Sequence, residues 1–532
     1  MRRINNFLKL GASLILMFAI VVSCTDDFED INTQSDALIA DNVDANLLGQ
    51  AFAQSQYHGK MGLNWRYQIS QSLFADLYSQ YFATTASNFD SDQNFEVGRW
   101  IDLAWSSFYG NAAPQLDFVI KTSAENGLDL QNAVARVWRV YGYHRITDYW
   151  GPVIYSEFGN GEPTVAYDTQ EFMYKDFFKE LDAAVAVLKN NPGGSAFGSN
   201  DLIFGGDASK WLTFANSLRL RLAMRIRYVE PQRAQQEAEK AIQDGVMTNN
   251  ADNAAILTTG DNLNPFTTIT NWGEFRMSAA MESVLDGYDD PRIGEYFNPA
   301  VNPEGNGGKF QGLQNGIPKS QKTSDLNDIA SDMETKFLNE GRGGTNPDIR
   351  VMSVAEVFLL RAEGALQGWS MGGSAQQLYE DGIRYSMEER TGASAADIDA
   401  YINSSNTPKA IEVAFTGSDL APLSDIPVAF ETGASDERKL EQIITQKWIA
   451  LYPDGWEAFA EMRRTGYPER YPLMNSLNPD VGVDEIMRRF TYVAGEFSNN
   501  AEAVEAATQL PEIAGNGGDK NSTRVWWDVK GQ

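Results

Sequence analysis

The strongest constraint on this chain is a repeated pattern of an amphipathic helical stretch, a short breaker and a second helical stretch. In "KWLTFANSLRLRLAMRI", Trp211, Phe214, Ala215, Leu218, Leu222 and Ile226 recur at the i, i+3, i+4, i+7 spacing of one helix face, with Arg219, Arg221 and Arg227 forming a basic flank. Pro231 opens "PQRAQQEAEKAIQDG" and Gly245 closes it, the order in which helix termini favour these two residues. Together the two stretches predict a helical hairpin. The unit recurs in "VAEVFLLRAEGALQGW", which places Phe358, Ala362, Ala365 and Trp369 on one face, followed by a Gly372-Gly373 turn and the return "SAQQLYEDGIRYSMEERTG". An earlier pair is "QNAVARVWRVYGYHRITDYWG" and "DTQEFMYKDFFKELDAAVAVLKN", the latter opened by Asp168 and Glu171 at capping-box spacing. A still earlier pair is expected within 46–82 and 98–121. Helical pairs of this size predict a mainly α fold built from tetratricopeptide-like hairpins, at an irregular period.

Three tracts interrupt the helical pattern. Residues 249–348 turn to Gly, Asn, Pro and Asp with isolated aromatics, as in "LTTGDNLNPF" and "NPAVNPEGNGGKFQG", and looser tracts lie near 83–98 and 393–435. Irregular stretches this long inside a helical protein read as functional insertions.

The first 23 residues read as an export signal: Arg2, Arg3 and Lys9, an apolar run from Leu10 to Val22, then Ser23. As a helix that run reaches about 20 Å, short of the roughly 30 Å of bilayer hydrocarbon. The chain's single cysteine, Cys24, follows at once, and Val21-Val22-Ser23-Cys24 resembles a bacterial lipobox, whose cysteine is acylated. Residues 24–44 are then a lipidated tether, with Asp26, Asp27, Glu29 and Asp30 as an acidic export tag, and 45–532 the folded domain.

Composition removes several classes of chemistry. Removal of the signal takes three positive charges and no negative ones, so the formal charge passes from −29 to −32. A surface this acidic repels phosphates, which excludes nucleic acid as a partner and favours neutral sugars or basic peptides over sulfated or uronic glycans. One cysteine, spent on lipid, leaves no intrachain disulfide or thiolate zinc site. With His58 and His144 the only histidines and no G-x-S-x-G elbow, no serine triad is indicated. Asp289-Asp290-Pro291 reads as a turn rather than as a glycosidase pair.

In their order along the chain, "HRITDYWGPVIY", "DGYDDPRI", "VFLLRAEGAL", "QKWIALYPDGWEAFAEMRRTGYP", "MRRFTYVAGEFSNNAEAV" and "TRVWW" resemble the SusD/RagB family of nutrient-binding outer-membrane lipoproteins. The resemblance runs through Asp290, Pro291, Arg292, Glu363, Trp448, Arg463, Arg464, Arg488, Arg489, Tyr492, Glu496, Trp526 and Trp527; Val493 departs from the proline common there. It implies about four tetratricopeptide-like units, a loop-rich second subdomain that carries ligand contacts, and no enzymatic activity. It also implies an outer-membrane location, lipid-anchored and facing the cell exterior, where an oligosaccharide is handed to a SusC-like TonB-dependent transporter. A peptide-binding, RagB-like member is the alternative, with a surface glycosidase further off. No cofactor is expected; the resemblance allows a structural calcium ion, for which no ligand is nominated, since Asp90-x-Asp92-x-Asn94 lacks the later positions of a calcium loop.

Carbohydrate capture requires flat apolar rings for sugar C–H faces and amides or carboxylates for hydroxyls. Two loops offer that mixture. "TTASNFDSDQNFEVGRW" supplies Asn88, Phe89, Asp92, Asn94, Phe95 and Trp100; "NPFTTITNWGEFRM" supplies Asn271, Trp272 and Phe275. Trp272 is the preferred stacking platform, because Asn271 and Gly273 place it in a turn, whereas Trp211, Trp369, Trp448 and the Trp526-Trp527 pair read as packing.

Overall fold

The computed structural model describes residues 45–258, 262–301, 308–335, 347–413 and 418–531. Cys24, the signal and the tether lie outside the described residues. The chain divides into a short unit, Met1–Leu48, and a large one, Gly49–Gln532, that contains the fold.

Eight helices form its frame: α1 (Asp129–Trp150), α2 (Gln170–Lys189), α3 (Ala208–Arg225), α4 (Pro231–Asp244), α5 (Val354–Leu366), α6 (Ala375–Arg390), α7 (Asp436–Leu451) and α8 (Gly455–Thr465). They pair as consecutive hairpins, α1 with α2, α3 with α4, α5 with α6 and α7 with α8, and α3 also packs on α1, α2 and α5 while α5 packs on α7. The fold is mainly α and tetratricopeptide-like, as the periodicity predicts. Local chemistry fixes the helix starts: the Asp207 side chain accepts the Ser209 and Lys210 N–H groups at the head of α3, and Pro231 opens α4. The expected Asp168 cap of α2 is corrected. Thr169 caps that helix through the Phe172 N–H, while Asp168 accepts from the Ser156 amide and hydroxyl (2.7 and 3.0 Å) and pins a bridge to Val153. The first predicted pair is also less regular than expected, since 60–82 breaks into short helical turns and a strand beyond the helix Ala45–Gly59.

Trp211, Phe214, Ala215, Leu218, Leu222 and Ile226 are completely buried, as the helical spacing requires. The arginines that the sequence places on a basic flank are buried as well. Because α3 is covered by hairpins on both sides it has no solvated face, and carboxylates from neighbouring helices meet its cations. Arg221 forms two 2.7 Å bonds to Glu356. Arg225 lies between Glu457 and Glu461 at 2.6 and 2.5 Å, with Asp148 at 3.3 Å. Arg464 joins Glu363 through two 2.7 Å bonds and also holds Glu461, which Lys447 reaches at 3.1 Å. The cluster ties α1, α3, α5, α7 and α8 together through charge-assisted, often bidentate bonds. Trp369 departs from its expected core face: α5 ends at Leu366, and the indole sits half-buried beyond it.

The irregular tracts hold short paired strands: β1 (Phe82–Thr84), β2 (Ala254–Ile256), β3 (Phe275–Met277), β4 (Ile349–Met352), β5 (Ile411–Val413) and β6 (Ser418–Leu420). They pair antiparallel as β1–β3, β2–β4 and β5–β6. A separate apolar cluster of Ala83, Leu313, Ile317, Leu326 and Ala330 supports β1.

Candidate functional site

The β1–β3 ladder brings the two candidate loops side by side. Thr84 stands opposite Phe275, the Thr85 amide donates to the Glu274 carbonyl at 3.2 Å, and the Thr84 hydroxyl donates to the same carbonyl at 2.8 Å. On the β3 side, Asn264 caps the short helix Pro265–Thr270 through the Phe266 N–H. The Trp272 amide then closes onto the Ile269 carbonyl, and Gly273, at φ 69°, turns the chain into β3. This geometry leaves Trp272 outside the packing, 42% exposed.

The ladder sorts the sequence-predicted residues into two groups. Asn88, Phe95, Asn271 and Trp272 are exposed. Phe89, Asp92, Asn94, Trp100 and Phe275 are buried, and each has an internal partner. Phe89 stacks on Phe275 with ring centroids 6.1 Å apart and meets the Trp100 edge at 5.7 Å. Asp92 pairs with Lys322 at 3.0 Å, and burial pushes its carboxyl up to about 7 against the pull of that lysine. Asn94, in a left-handed conformation at φ 58°, accepts at its carbonyl from the Asn478 amide at 2.9 Å. These five side chains are therefore posts that hold the loops; apolar and polar residues alternate too irregularly there for the sequence to separate post from contact. Phe95 follows a clamp on a different segment, where the Leu477 amide donates to the Gln93 carbonyl.

Exposed aromatics that the sequence reading does not nominate include Phe172, Phe497 and, beside this face, Trp65. Trp65, 41% exposed, lies in the short helix Asn64–Tyr67, which packs on Pro265–Thr270. The Gln68 amide next to it donates to the Glu274 carboxylate at 2.6 Å, and the Arg66 guanidinium lies 5.0 Å from the Trp65 ring centroid. Burial moves the Glu274 carboxyl above its ordinary range, with the Gln68 bond opposing it. A signal was present: Asn64-Trp65 repeats the Asn271-Trp272 dipeptide, but inside a stretch expected to be continuous helix. Trp65 and Trp272 thus lie in and beside two packed short helices, and the Gln68–Glu274 bond joins the first of these segments to the start of β3.

Asp290 is locked to Arg292 in a fully buried bidentate pair at 2.9 and 2.6 Å, and burial together with Arg66 lowers His58 to about 4. Among the described residues no group of three or more His, Cys, Asp or Glu side chains is placed to hold a metal ion, and no helix is long and apolar enough to cross a membrane.

Stacked hairpins joined by irregular tracts define the class: a tetratricopeptide-like helical protein. Its family follows from comparison. The chain belongs to the SusD-like family, the SusD and RagB outer membrane lipoproteins, whose match covers residues 29–528. A chitin-binding SusD homologue from Flavobacterium johnsoniae is 36% identical, with 91% of this chain and 99% of that chain covered at a TM-score of 0.83. A SusD homologue from Bacteroides thetaiotaomicron is 31% identical over 92% of this chain and 100% of that one, at 0.81. A further chitin-binding protein is 27% identical over 91% and 100%, at 0.73. No curated protein sequence matches the chain.

Proposed function

We propose that this protein captures a neutral oligosaccharide at the cell surface and passes it, unaltered, to a SusC-like TonB-dependent transporter. The observation that carries the reading is the exposed tryptophans Trp65 and Trp272, in and beside two packed short helices, with the Gln68 amide and Glu274 carboxylate bonded to each other nearby in the chain. Sugar rings stack their C–H faces on indoles while amide and carboxylate groups bond to hydroxyls, and no chemical step is required of the protein. Likeness to chitin-binding relatives makes chitin oligosaccharides the first ligand class to test. They are uncharged, which suits a chain of formal charge −29. Acylation at Cys24 retains the protein at the outer membrane, several acyl chains holding where one would not.

The test is calorimetric titration of the full chain, solubilised in detergent, with chitin oligosaccharides and with other neutral glycans. Binding that weakens at least tenfold in Trp272→Ala and in Trp65→Ala supports the reading. Glycan silence together with binding of basic peptides would replace it with the peptide-binding alternative.

A further inference from the structure

A cavity of about 770 Å³ opens between the C-terminal end of α8, the segment 466–488 and the stretch 522–531. Its size falls within the range of small-ligand sites. Against the acidic balance of the chain, its wall gathers Arg463, Arg470, Arg488, Arg524 and Lys530. Their counter-charges are unevenly shared. Arg488 and Arg524 share one carboxylate, Asp528, at 3.0 and 2.8 Å, and Lys530 is drawn to Glu437 outside the wall at 2.5 Å. Glu469, Asp484 and Glu485 also line the cavity, but all three carboxylates are exposed to solvent, and Glu485 bonds the Gly482 amide.

Arg463 is 2% exposed and spends Nη1 on two backbone carbonyls, those of Asp148 and Arg488, at 2.7 Å each. Its Nη2 is buried with no hydrogen-bond partner. Arg470 is half-buried and has no hydrogen bond or ion pair among the described residues. Burial and the Arg488 charge hold Arg470 down to about 10, and burial brings Arg463 to about 10 as well, so both remain cationic at neutral pH. A partly desolvated guanidinium without a counter-ion carries an uncompensated cost, and the planar fork it presents matches a carboxylate or phosphate.

We propose that this cavity is a second binding site, which takes a small ligand by a carboxylate or phosphate group gripped by Arg470, with Arg488 alongside. None of its lining residues belongs to the tryptophan face, and among the lining side chains five cations meet three carboxylates.

The test is titration of the detergent-solubilised full chain at low salt with sodium galacturonate, with inorganic phosphate and with galactose as the neutral control. One or both anions should bind, galactose should not, Arg470→Gln should weaken the anion at least tenfold, and Arg470→Lys should weaken it less. Tighter galacturonate assigns a carboxylate ligand, and tighter phosphate assigns a phosphoryl group. Trp272→Ala should leave anion binding unchanged, which separates this site from the glycan site. Mass-spectrometric mapping of phenylglyoxal modification gives a second readout that needs no variant: either anion should protect Arg470. Absence of anion binding, wild-type affinity in folded Arg470→Gln, or no protection of Arg470 would overturn the proposal.

Discussion

Arg464 and Glu461 set the terms at the scale of single residues. Both are buried, and each belongs to an ion pair whose remaining bonds are also satisfied. The arginine is held well above its ordinary pKa and the carboxylate well below, each by its oppositely charged neighbours. Removing one member strands the other without water, so Arg464→Met is expected to cost about 3–5 kcal/mol, read as a lower urea midpoint at unchanged slope. Asp76 behaves in the opposite sense. Burial pushes its carboxyl up to about 8, helped by Asp454, although Gln71 and the Gly455 amide donate to it. Between the ordinary carboxylate range and pH 8 the folded chain therefore binds a proton that the unfolded chain has released. The contribution of this group is fully present in acid and is lost as pH rises through 8. Asp76→Asn should accordingly flatten the fall in stability between about pH 4 and 8; an unchanged profile would show that another group titrates there.

Between elements, α5 and α6 approach closely. A Cβ at Gly382 would stand 2.6 Å from Leu359 Cγ and 3.3 Å from the Ala355 carbonyl oxygen. Gly382→Ala is thus expected to destabilise by about 1–3 kcal/mol despite the better helix propensity of alanine, measurable by thermal unfolding. The hairpins themselves were legible because their apolar positions repeat at helical spacing and Pro231, Gly245 and Gly372 punctuate them. The burial of Arg219, Arg221, Arg225 and Arg227 was not, since a cation on a helix reads as solvated until the carboxylates of α2, α4, α5 and α8 are placed beside it. Nor was the β1–β3 ladder, which joins residues about 190 positions apart and decides that Phe89 and Phe275 face inward while Trp272 faces out. Trp272 in its Asn-Trp-Gly turn could be read as exposed from local chemistry alone; the second tryptophan, Trp65, could not be joined to it without the packing of one short helix on another.

For the whole molecule, retention and capture are separate demands. On the proposed function retention rests on Cys24: Cys24→Ala should abolish palmitate incorporation and release the protein from the membrane pellet, and a variant that still labelled would place the anchor elsewhere. On the same proposal, capture rests on the surface that the irregular tracts supply. Trp272 and Trp65 are 42% and 41% exposed, so part of each ring is packed, and their replacement by alanine should cost about 1–3 kcal/mol while the chain still unfolds cooperatively. The most direct measurement is calorimetric titration of the wild-type chain and Trp272→Ala with chitin oligosaccharides, with unfolding curves recorded in parallel. The account predicts heat of binding in the wild type, at least a tenfold loss in the variant and a single cooperative unfolding transition in both. Equal affinity in the two proteins would contradict it.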